Sequence, residues 1–386
     1  MTGPIPAVEQ SVSPAAQPVR AIAAYLPQFH PVPENDRWWG AGFTEWTSVA
    51  SARPLYAGHY QPHLPGELGF YDLRLDETRA QQAELAREHS IEAFCYWHYW
   101  FAGRRMLEKI LDLVLRTGVP NYPFCLGWAN VSWRSSWDMA GRNVRLIEQT
   151  YPGIDDFRRH FEMVLPALFD HRYLKVDGKP VFIVYQPTHL PSSSAFADLW
   201  RTWAADAGLP GLYLAGLSRP GIAPFHPLDG GFDTAITSSL PPTQRRRTLS
   251  TPATRLDLLL SELSERSQVL PGIYSYRRWM AFLPFLQEEG PSIPSVWVNW
   301  DNTPRRGRDG FVLHGAAPEL FGAQVAIALG LIADRPQQER LLYVRSWNEW
   351  AEGNHLEPDR KFGRAFLEAF RDTVARFGDR DLGTVG

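Results

Sequence analysis

The chain has 386 residues, with 39 Lys and Arg against 42 Asp and Glu and a formal net charge of -3 at pH 7. This balance provides no extended basic surface, so we expect no binding to nucleic acid. Only two cysteines occur, Cys95 and Cys125, which excludes a disulfide framework and a cysteine-rich metal site. Both are expected to be free thiols in the core.

Residues 1–19 lack hydrophobic periodicity, which predicts a flexible tail. They contain no basic segment followed by an apolar one, and no stretch of the chain approaches 18 uninterrupted apolar residues. These features predict a cytoplasmic protein without a membrane span. Residues 20–386 are predicted to form one domain.

Eight short apolar segments, rich in β-branched and aromatic residues, are predicted strands: 21–29, 93–100, 122–130, 180–186, 212–217, 234–239, 296–301 and 341–347. Helix-period segments lie between most of them: 76–89, 106–117, 154–168, 194–207, 256–267 and 319–333. This alternation predicts parallel strands that are buried on both faces. The count of eight favours an α/β fold of the (β/α)8 TIM barrel type. A doubly wound open sheet is the alternative, but no GxGxxG motif follows the first strand.

Long insertions follow the first, third and sixth predicted strands, at residues 30–75, 131–153 and 240–292. In a barrel these are βα loops, which we expect to build walls above the carboxyl ends of the strands. The Pro- and Arg-rich segment 240–255 is predicted to be a mobile loop.

The segment 345–359, directly behind the last predicted strand, is the most informative part of the sequence. It holds Glu349 and Glu352 beside two tryptophans, at the barrel end where enzymes of this fold keep their chemistry. A spacing of three puts both acids on one face of a helical turn, so the strand must end near Trp347 for them to cooperate. Carboxyl pairs cleave glycosidic bonds, and aromatic rings pack on sugars. A surface ion pair or a helix cap is the alternative.

Other side chains near strand ends and in the first insertion are candidate sugar contacts. They are Tyr25, Gln28, His30, Trp39, Trp46, His59, Tyr96, His98, Trp128, Asn130, Trp300, Asp301, Asn302, Arg305, Asn348 and Trp350. Each has a structural alternative, such as loop packing or an ion pair, and Glu357 is as readily a loop-fixing residue as a substrate contact. Metal-binding motifs such as HExxH, and GxSxG and P-loop patterns, are absent from the sequence, so we predict no metal and no cofactor.

Seven motifs occur in order along the chain: AYLPQFHPVPENDRWWG at 24–40, GFTEWT at 42–47, GHYQPH at 58–63, GFYDLR at 69–74, YWHYWF at 96–101, WDNTPRR at 300–306 and WNEWAEG at 347–353. Together they resemble the WbsX family, also described as glycoside hydrolase family 99-like, over residues 20–375. The resemblance implies a TIM barrel related to retaining endo-α-mannosidases and endo-α-mannanases. Members often belong to bacterial O-antigen or exopolysaccharide loci, and many are named glycosyltransferases by association.

The resemblance also implies roles for the two acids. Glu352 would be the general acid and then the base toward water, whereas Glu349 would deprotonate the substrate 2-hydroxyl and close a 1,2-anhydro intermediate. One departure from the family pattern lies at residues 128–138, where Val131-Ser132 replaces Glu-Asn and Ser135-Ser136 replaces an Arg pair. It implies the loss of contacts to a polar group of the substrate.

The leading prediction is therefore a retaining glycoside hydrolase that acts on α-glycosidic, mannoside-like linkages of a bacterial polysaccharide, with two Glu as acid and base. A nucleotide-sugar-dependent glycosyltransferase of O-antigen or exopolysaccharide biosynthesis is the second possibility. A non-catalytic glycan-binding protein, which would need no paired acids, is the third. The sequence offers no convincing site for a nucleotide diphosphate, which favours the hydrolase. The expected partner is an oligo- or polysaccharide.

Overall fold

The computed structural model describes residues 18–135, 144–218, 224–238, 270–280 and 290–383. Eight parallel strands form the central sheet: β1 Arg20–Tyr25, β2 Ala93–Phe101, β3 Phe124–Trp128, β4 Lys179–Val184, β5 Tyr213–Ser218, β6 Thr234–Thr237, β7 Ser292–Trp297 and β8 Leu341–Arg345. Each strand pairs with the next, and β8 pairs with β1, which closes the sheet. The prediction of a (β/α)8 TIM barrel is confirmed.

The helices are α1 Pro33–Trp39, α2 Glu45–Ser51, α3 Asp76–Glu88, α4 Lys109–Thr117, α5 Ile154–Leu168, α6 Ser193–Asp206, α7 Tyr276–Met280, α8 Thr303–Arg306, α9 Pro318–Gly330 and α10 Ala365–Gly383. Short 3-10 turns cover Pro187–His189, Gly307–Asp309, Gln337–Glu339 and Trp350–Glu352. Five of the predicted helical segments are helices within a few residues of the expected bounds. The sixth, 256–267, lies outside the described residues, as do residues 1–17 of the predicted tail and the segment 240–255.

The barrel strands are almost entirely buried, because helices and packed side chains cover both of their faces. In β2 all nine residues are buried, which explains the absence of an alternating pattern there. Cys95 and Cys125 lie opposite each other in β2 and β3 as free, buried thiols, as expected.

The bounds of β7 differ from the sequence prediction. The strand was expected at 296–301. It begins instead at Ser292, and Pro294 pairs in register with Thr237 of β6. The residues after Trp297 therefore leave the barrel and enter the loop above it.

Short strands outside the barrel are Arg104–Met106, Trp133–Arg134, Arg145–Ile147, Lys175–Val176, Gly272–Ser275, Phe311–His314, Asn348–Glu349 and Asn354–His355. Three pairs of them brace loops that follow β3, β6, β7 and β8. The walls expected above the carboxyl ends thus contain local sheet structure. Within the described residues, no helix is both long and apolar enough to cross a bilayer.

Candidate active site

The chain changes direction sharply after β8. The strand ends at Arg345, and Asn348–Glu349 then pairs antiparallel with Asn354–His355 around a 3-10 turn. Gly353 closes the turn with a φ of 58°. A Cβ atom at this position would lie 2.9 Å from the Cβ of Asp301, so the turn requires glycine. The break in the strand brings Glu349 and Glu352 to the same guanidinium group.

That guanidinium belongs to Arg305, which lies on α8 above β7. Its Nη1 donates to Glu352 Oε1 at 2.6 Å and its Nη2 to Glu349 Oε2 at 3.2 Å. Its Nε donates to Glu45 Oε1 at 3.0 Å, and Nη2 donates to the same oxygen. Glu45 is the first residue of α2 and its side chain is fully buried. One cation therefore holds three carboxyl groups, a set we call the Arg305 cluster.

The charges in the Arg305 cluster shift the pKa values of its members. Burial and the neighbouring charge of Glu352 raise the pKa of Glu349 to about 8, against the opposing effect of Arg305. Burial also raises the pKa of Glu45, again opposed by Arg305. Burial opposes the charge of Arg305, but the three carboxylates outweigh it and raise its pKa above the ordinary value. Near neutral pH, Glu349 therefore carries a proton in the free site.

The Arg305 cluster adjoins a cavity of about 420 Å³, which lies within the size range of small-molecule sites. We call it the tryptophan cavity, because half-buried indoles form much of its wall. Its lining residues are Leu26, Gln28, Asn35, Trp38, Trp39, Tyr99, Ser132, Trp133, Arg134, Leu146, Asn302, Arg305, Arg306, Glu349 and Glu352. Trp133 packs edge-on against Trp38 at 6.0 Å and against Tyr99 at 5.0 Å between ring centroids.

Six of the predicted site residues line this cavity: Gln28, Trp39, Asn302, Arg305, Glu349 and Glu352. The site predicted from the sequence did not include Glu45, Trp38 or Trp133, although Glu45 and Trp38 lie in two of the seven motifs and Trp133 lies in the segment 128–138. Glu45 could have been selected from the sequence, because it is an acid next to a tryptophan in the first insertion. Its contact with Arg305 spans 260 positions and leaves no trace in local spacing.

The structure does not bring the predicted aromatic residues Tyr25, Trp46, Tyr96, Trp128, Trp300 and Trp350 to the tryptophan cavity, because all six are buried in packing contacts. The hydroxyl of Tyr25 donates to Gln82, and the indole of Trp46 donates to the carbonyl of Tyr71. Trp300 lies in a separate apolar cluster and stacks on Phe311. Their rings are buried in contacts inside the protein, so a sugar-facing role is not supported for them.

Two predicted asparagines have structural contacts instead. Asn348 accepts from the backbone N–H of Leu26 at 2.7 Å and donates to its carbonyl at 3.1 Å, which joins the ends of β8 and β1. Asn130 forms the same pair of contacts with the backbone of Gln186. Both are fully buried. Their amide groups are therefore occupied by the loops that they hold.

The predicted histidines His30 and His98 are also buried away from the tryptophan cavity. His98 Nε2 lies 2.7 Å from Nε2 of His160, which stacks on Trp100. Burial lowers the pKa of His98 to about 3 and that of His30 to about 4. Both rings are therefore neutral at ordinary pH and belong to the packed shell around the barrel.

Glu357 fixes the loop after β8. It accepts hydrogen bonds from the Tyr71 hydroxyl at 2.8 Å, the Gln82 amide at 2.6 Å and the Trp350 indole at 2.6 Å. Burial raises its pKa to about 7, although these donors favour the charged form. Of the two interpretations given for Glu357, the structure favours the loop-fixing one.

A second cavity, of about 260 Å³, lies beside the first and contains the remaining predicted residues, His59 and Asp301. We call it the histidine cavity. His59 Nδ1 accepts from the backbone N–H of Leu55, so its Nε2 donates to Asp301 Oδ2 at 2.7 Å. Burial opposes the charge of Asp301, but hydrogen bonds from His59 and Thr303 hold its pKa below the ordinary value. This pair therefore closes the loop above β7, and the backbone N–H of Asp301 donates to the carbonyl of Glu352 at 2.6 Å, which ties this loop to the Arg305 cluster.

Comparison with known proteins agrees with this architecture. Two Xanthomonas campestris pv. campestris proteins, each described as uncharacterized protein WxcX, are 38% (strain ATCC 33913) and 37% (strain B100) identical to the chain over 378 residues. The match covers 95% of the chain and 51% of each relative, so the chain spans about half the length of these proteins.

Solved structures with a similar fold include a glycoside hydrolase-like protein and a GH99 endo-alpha-mannosidase from Bacteroides thetaiotaomicron. The first has a TM-score of 0.56 at 14% identity, covering 97% of both chains. The second has a TM-score of 0.52 at 14% identity, covering 95% of this chain and 98% of the other. At this identity the likeness concerns the fold. A family model described as Glycosyltransferase WbsX matches residues 21–370, and the chain therefore belongs to the WbsX family.

Proposed function

We propose that this protein is a retaining glycoside hydrolase that cleaves α-glycosidic, mannoside-like linkages in a bacterial polysaccharide. The observation that carries the proposal is the position of Glu349 and Glu352, which share one guanidinium at the edge of a cavity walled by tryptophans. Membership of the WbsX family and the fold shared with glycoside hydrolases support a glycan-processing enzyme. The type of reaction and the linkage are our inference.

The acid pair supplies the chemistry. Retaining enzymes hold two carboxyl groups about 5 to 5.5 Å apart across the bond to be cleaved, and two groups bridged by a single guanidinium lie within a few ångströms of each other. In the proposed reaction Glu352 protonates the leaving oxygen. Glu349 removes the proton of the 2-hydroxyl as that oxygen attacks the anomeric carbon, which expels the leaving group and gives a 1,2-anhydro sugar. Water, deprotonated by Glu352, then attacks the anomeric carbon and opens this ring, while Glu349 returns its proton to the 2-oxygen.

The electrostatics of the free site set a condition on these roles. Glu349 holds a proton near neutral pH, because its pKa is raised to about 8. As a base it must first lose that proton, so the proposed roles require turnover to increase with pH up to about this value. If the roles were exchanged, with Glu349 as the acid and Glu352 as the base, turnover would instead decrease as the pH rises toward this value. The sign of the pH dependence therefore tests the assignment.

The walls of the cavity supply sugar binding. Trp38, Trp39 and Trp133 line the cavity and are only partly buried, and indole rings in such positions pack against the apolar face of a sugar ring. Asn302 and Gln28 bring amide groups to the same space. Ser132, which stands where related chains have a larger polar residue, accepts a hydrogen bond from the backbone N–H of Gln149. This short side chain leaves room for a bulkier or less polar substituent on the sugar.

A glycosyltransferase is the second candidate, because the family description carries that name. A transferase binds a nucleotide diphosphate, which needs positive charge near the reaction centre. In the tryptophan cavity the Arg305 guanidinium is already held by three carboxyl groups, and Glu349 and Glu352 face the same space. Arg134 and Arg306 also line the cavity and would supply positive charge to a diphosphate, so the need for a nucleotide donor decides between the two candidates.

A panel of α-linked bacterial polysaccharides, incubated with the protein in the presence and absence of nucleotide sugars, tests the proposal. We expect oligosaccharide release without any nucleotide donor and no release by the Glu352→Gln variant. Product formation that requires a nucleotide sugar would establish the transferase instead. Tight glycan binding without turnover on any substrate would establish the non-catalytic alternative.

A further inference from the structure

Three side chains that converge beside the histidine cavity take no part in the reaction proposed above. They are His63, in the loop after β1, and His355 and Asp359, in the segment after β8. All three are buried, and each offers one ligand atom within 4.8 Å of the other two. From this arrangement we propose that His63, His355 and Asp359 form a binding site for a divalent metal ion of the zinc class.

The hydrogen bonds around His355 orient its lone pair toward the other two residues. Its Nδ1 lies 3.0 Å from the backbone carbonyl of Glu357, which only accepts, so Nδ1 carries the hydrogen and Nε2 carries the lone pair. This Nε2 lies 2.9 Å from Nδ1 of His63. Histidines that bind metals typically have their second nitrogen fixed by such an outer contact.

Without an ion, His63 donates its Nδ1 hydrogen to His355. When the ion binds, that hydrogen moves to the other nitrogen of His63, and both rings remain neutral. Tetrahedral zinc with Zn–N bonds of about 2.0 to 2.1 Å separates two nitrogens by about 3.3 Å, so the two rings need to move apart by only a few tenths of an ångström.

Hydrogen bonds fix the carboxylate of Asp359 in the way that outer contacts commonly fix a metal-binding carboxylate. Its Oδ2 accepts from the Tyr60 hydroxyl at 2.9 Å, and its Oδ1 accepts from the backbone N–H groups of Lys361 and Phe362. A carboxylate has about four acceptor positions, so these contacts leave room for a metal bond.

Aromatic stacking restricts the two imidazole rings. The ring of Trp350 stacks on that of His355 with 3.7 Å between centroids and 11° between planes. The ring of Tyr60 stacks on that of His63 with 4.2 Å between centroids and 26° between planes. The rings therefore have little freedom to rotate away from each other.

The choice of ion follows from the ligands. Two imidazole nitrogens and one carboxylate suit zinc and similar transition metals, whereas magnesium and calcium prefer oxygen ligands. Three protein ligands leave a fourth position, and all three residues line the histidine cavity, which gives that position access to a water molecule or a ligand oxygen. Local motifs did not predict the site because His63 is remote in sequence from the other two residues.

The site is separate from the Arg305 cluster. Asp301 and Gly353 line the histidine cavity, whereas their neighbours Asn302 and Glu352 line the tryptophan cavity. A bound ion would link the loop after β1 to the segment after β8. Metal binding can therefore be measured whether or not the protein proves to be a hydrolase.

The test uses the full chain, freed of metal with a chelator and titrated with Co²⁺, whose visible absorption reports a tetrahedral site. We expect one equivalent to bind, Zn²⁺ to displace it, and Zn²⁺ to raise the thermal unfolding midpoint. His355→Ala should weaken binding by more than about 100-fold, and Tyr60→Phe, which removes an outer contact, by roughly 10- to 100-fold. His314→Ala serves as the control, because His314 lines the same cavity outside the proposed ligand set.

Absence of saturable Co²⁺ binding by the wild-type chain would overturn the proposal. So would unchanged affinity in His355→Ala. Circular dichroism establishes that each variant is folded. If His355→Ala does not fold, the milder changes His63→Gln and Asp359→Asn decide by the same criterion, with loss of binding supporting the site and retention refuting it.

Discussion

Replacing Glu349 with glutamine should stabilise the protein while removing its activity. In the fold, burial and the charge of Glu352 raise the pKa of Glu349 from an ordinary value of 4.5 to about 8. The native state therefore binds this proton more tightly than the unfolded chain does. Stability that Glu349 contributes at low pH is lost as the pH rises from about 4.5 to about 8, because the unfolded carboxyl group ionises first. Glutamine has no proton to lose and avoids this cost.

The size of the effect follows from the same values. Each pH unit in this window corresponds to about 1.4 kcal/mol of unfolding free energy. Glu349→Gln should therefore match the wild type near pH 4.5 and exceed it by roughly 3 kcal/mol at pH 7. Other titrating groups are common to both proteins and cancel in the difference.

Urea unfolding of the two proteins at several pH values between 5 and 8 measures this difference. Glu339→Gln is a matched control, since Glu339 is exposed and its replacement should change the unfolding free energy little at any pH. A variant that is less stable than the wild type at pH 7, or a difference that does not grow with pH, would refute the reasoning about the site.

Three further outcomes are expected. The value of kcat/KM should rise with pH toward about 8 as Glu349 loses its proton, and a profile that falls over this range would exchange the roles of the two acids. Glu45→Gln removes a buried partner of Arg305, so kcat/KM should fall roughly 10- to 100-fold. The rising limb of the pH profile should also move to lower pH, because the charge of Glu45 raises the pKa of Glu349. An unchanged rate and profile would show that Glu45 does not position Arg305. Trp350→Phe removes the indole donor to buried Glu357 and should lower the unfolding free energy by about 1 to 3 kcal/mol. A loss below about 0.5 kcal/mol would contradict the loop-fixing role of Glu357.

The architecture was predictable because the barrel imposes a strong local pattern. Strands covered on both faces have nearly continuous apolar sequences, and each of the eight apolar runs in the sequence overlaps one barrel strand. The start of β7 was harder to predict, because Pro294 lies inside the strand in register with Thr237 although proline lacks the N–H that a central strand donates. The acid pair could also be predicted, because the spacing of Glu349 and Glu352 and their position after β8 both indicate side chains that lie together at the mouth of the barrel.

The remaining site residues were harder to predict because their role depends on side-chain direction and remote partners. Tyr25 and Asn348 lie near strand ends as expected, but their polar groups turn into the protein. Glu45 is held by Arg305 from another loop, and Trp133 reaches the cavity from the insertion after β3. An abundance of tryptophan did not distinguish the indoles that pack from those that line a cavity.

The central claim is that Glu349 and Glu352 act as one catalytic unit at the tryptophan cavity. The most direct measurement compares turnover of a cleaved α-linked glycan, without nucleotide donor, by Glu349→Gln, Glu352→Gln and the double variant. Groups that act together lose nearly all activity when either is removed, so the three rates should be similar and far below that of the wild type. Wild-type turnover in either single variant, or a double variant whose loss is the product of two modest single losses, would contradict the claim.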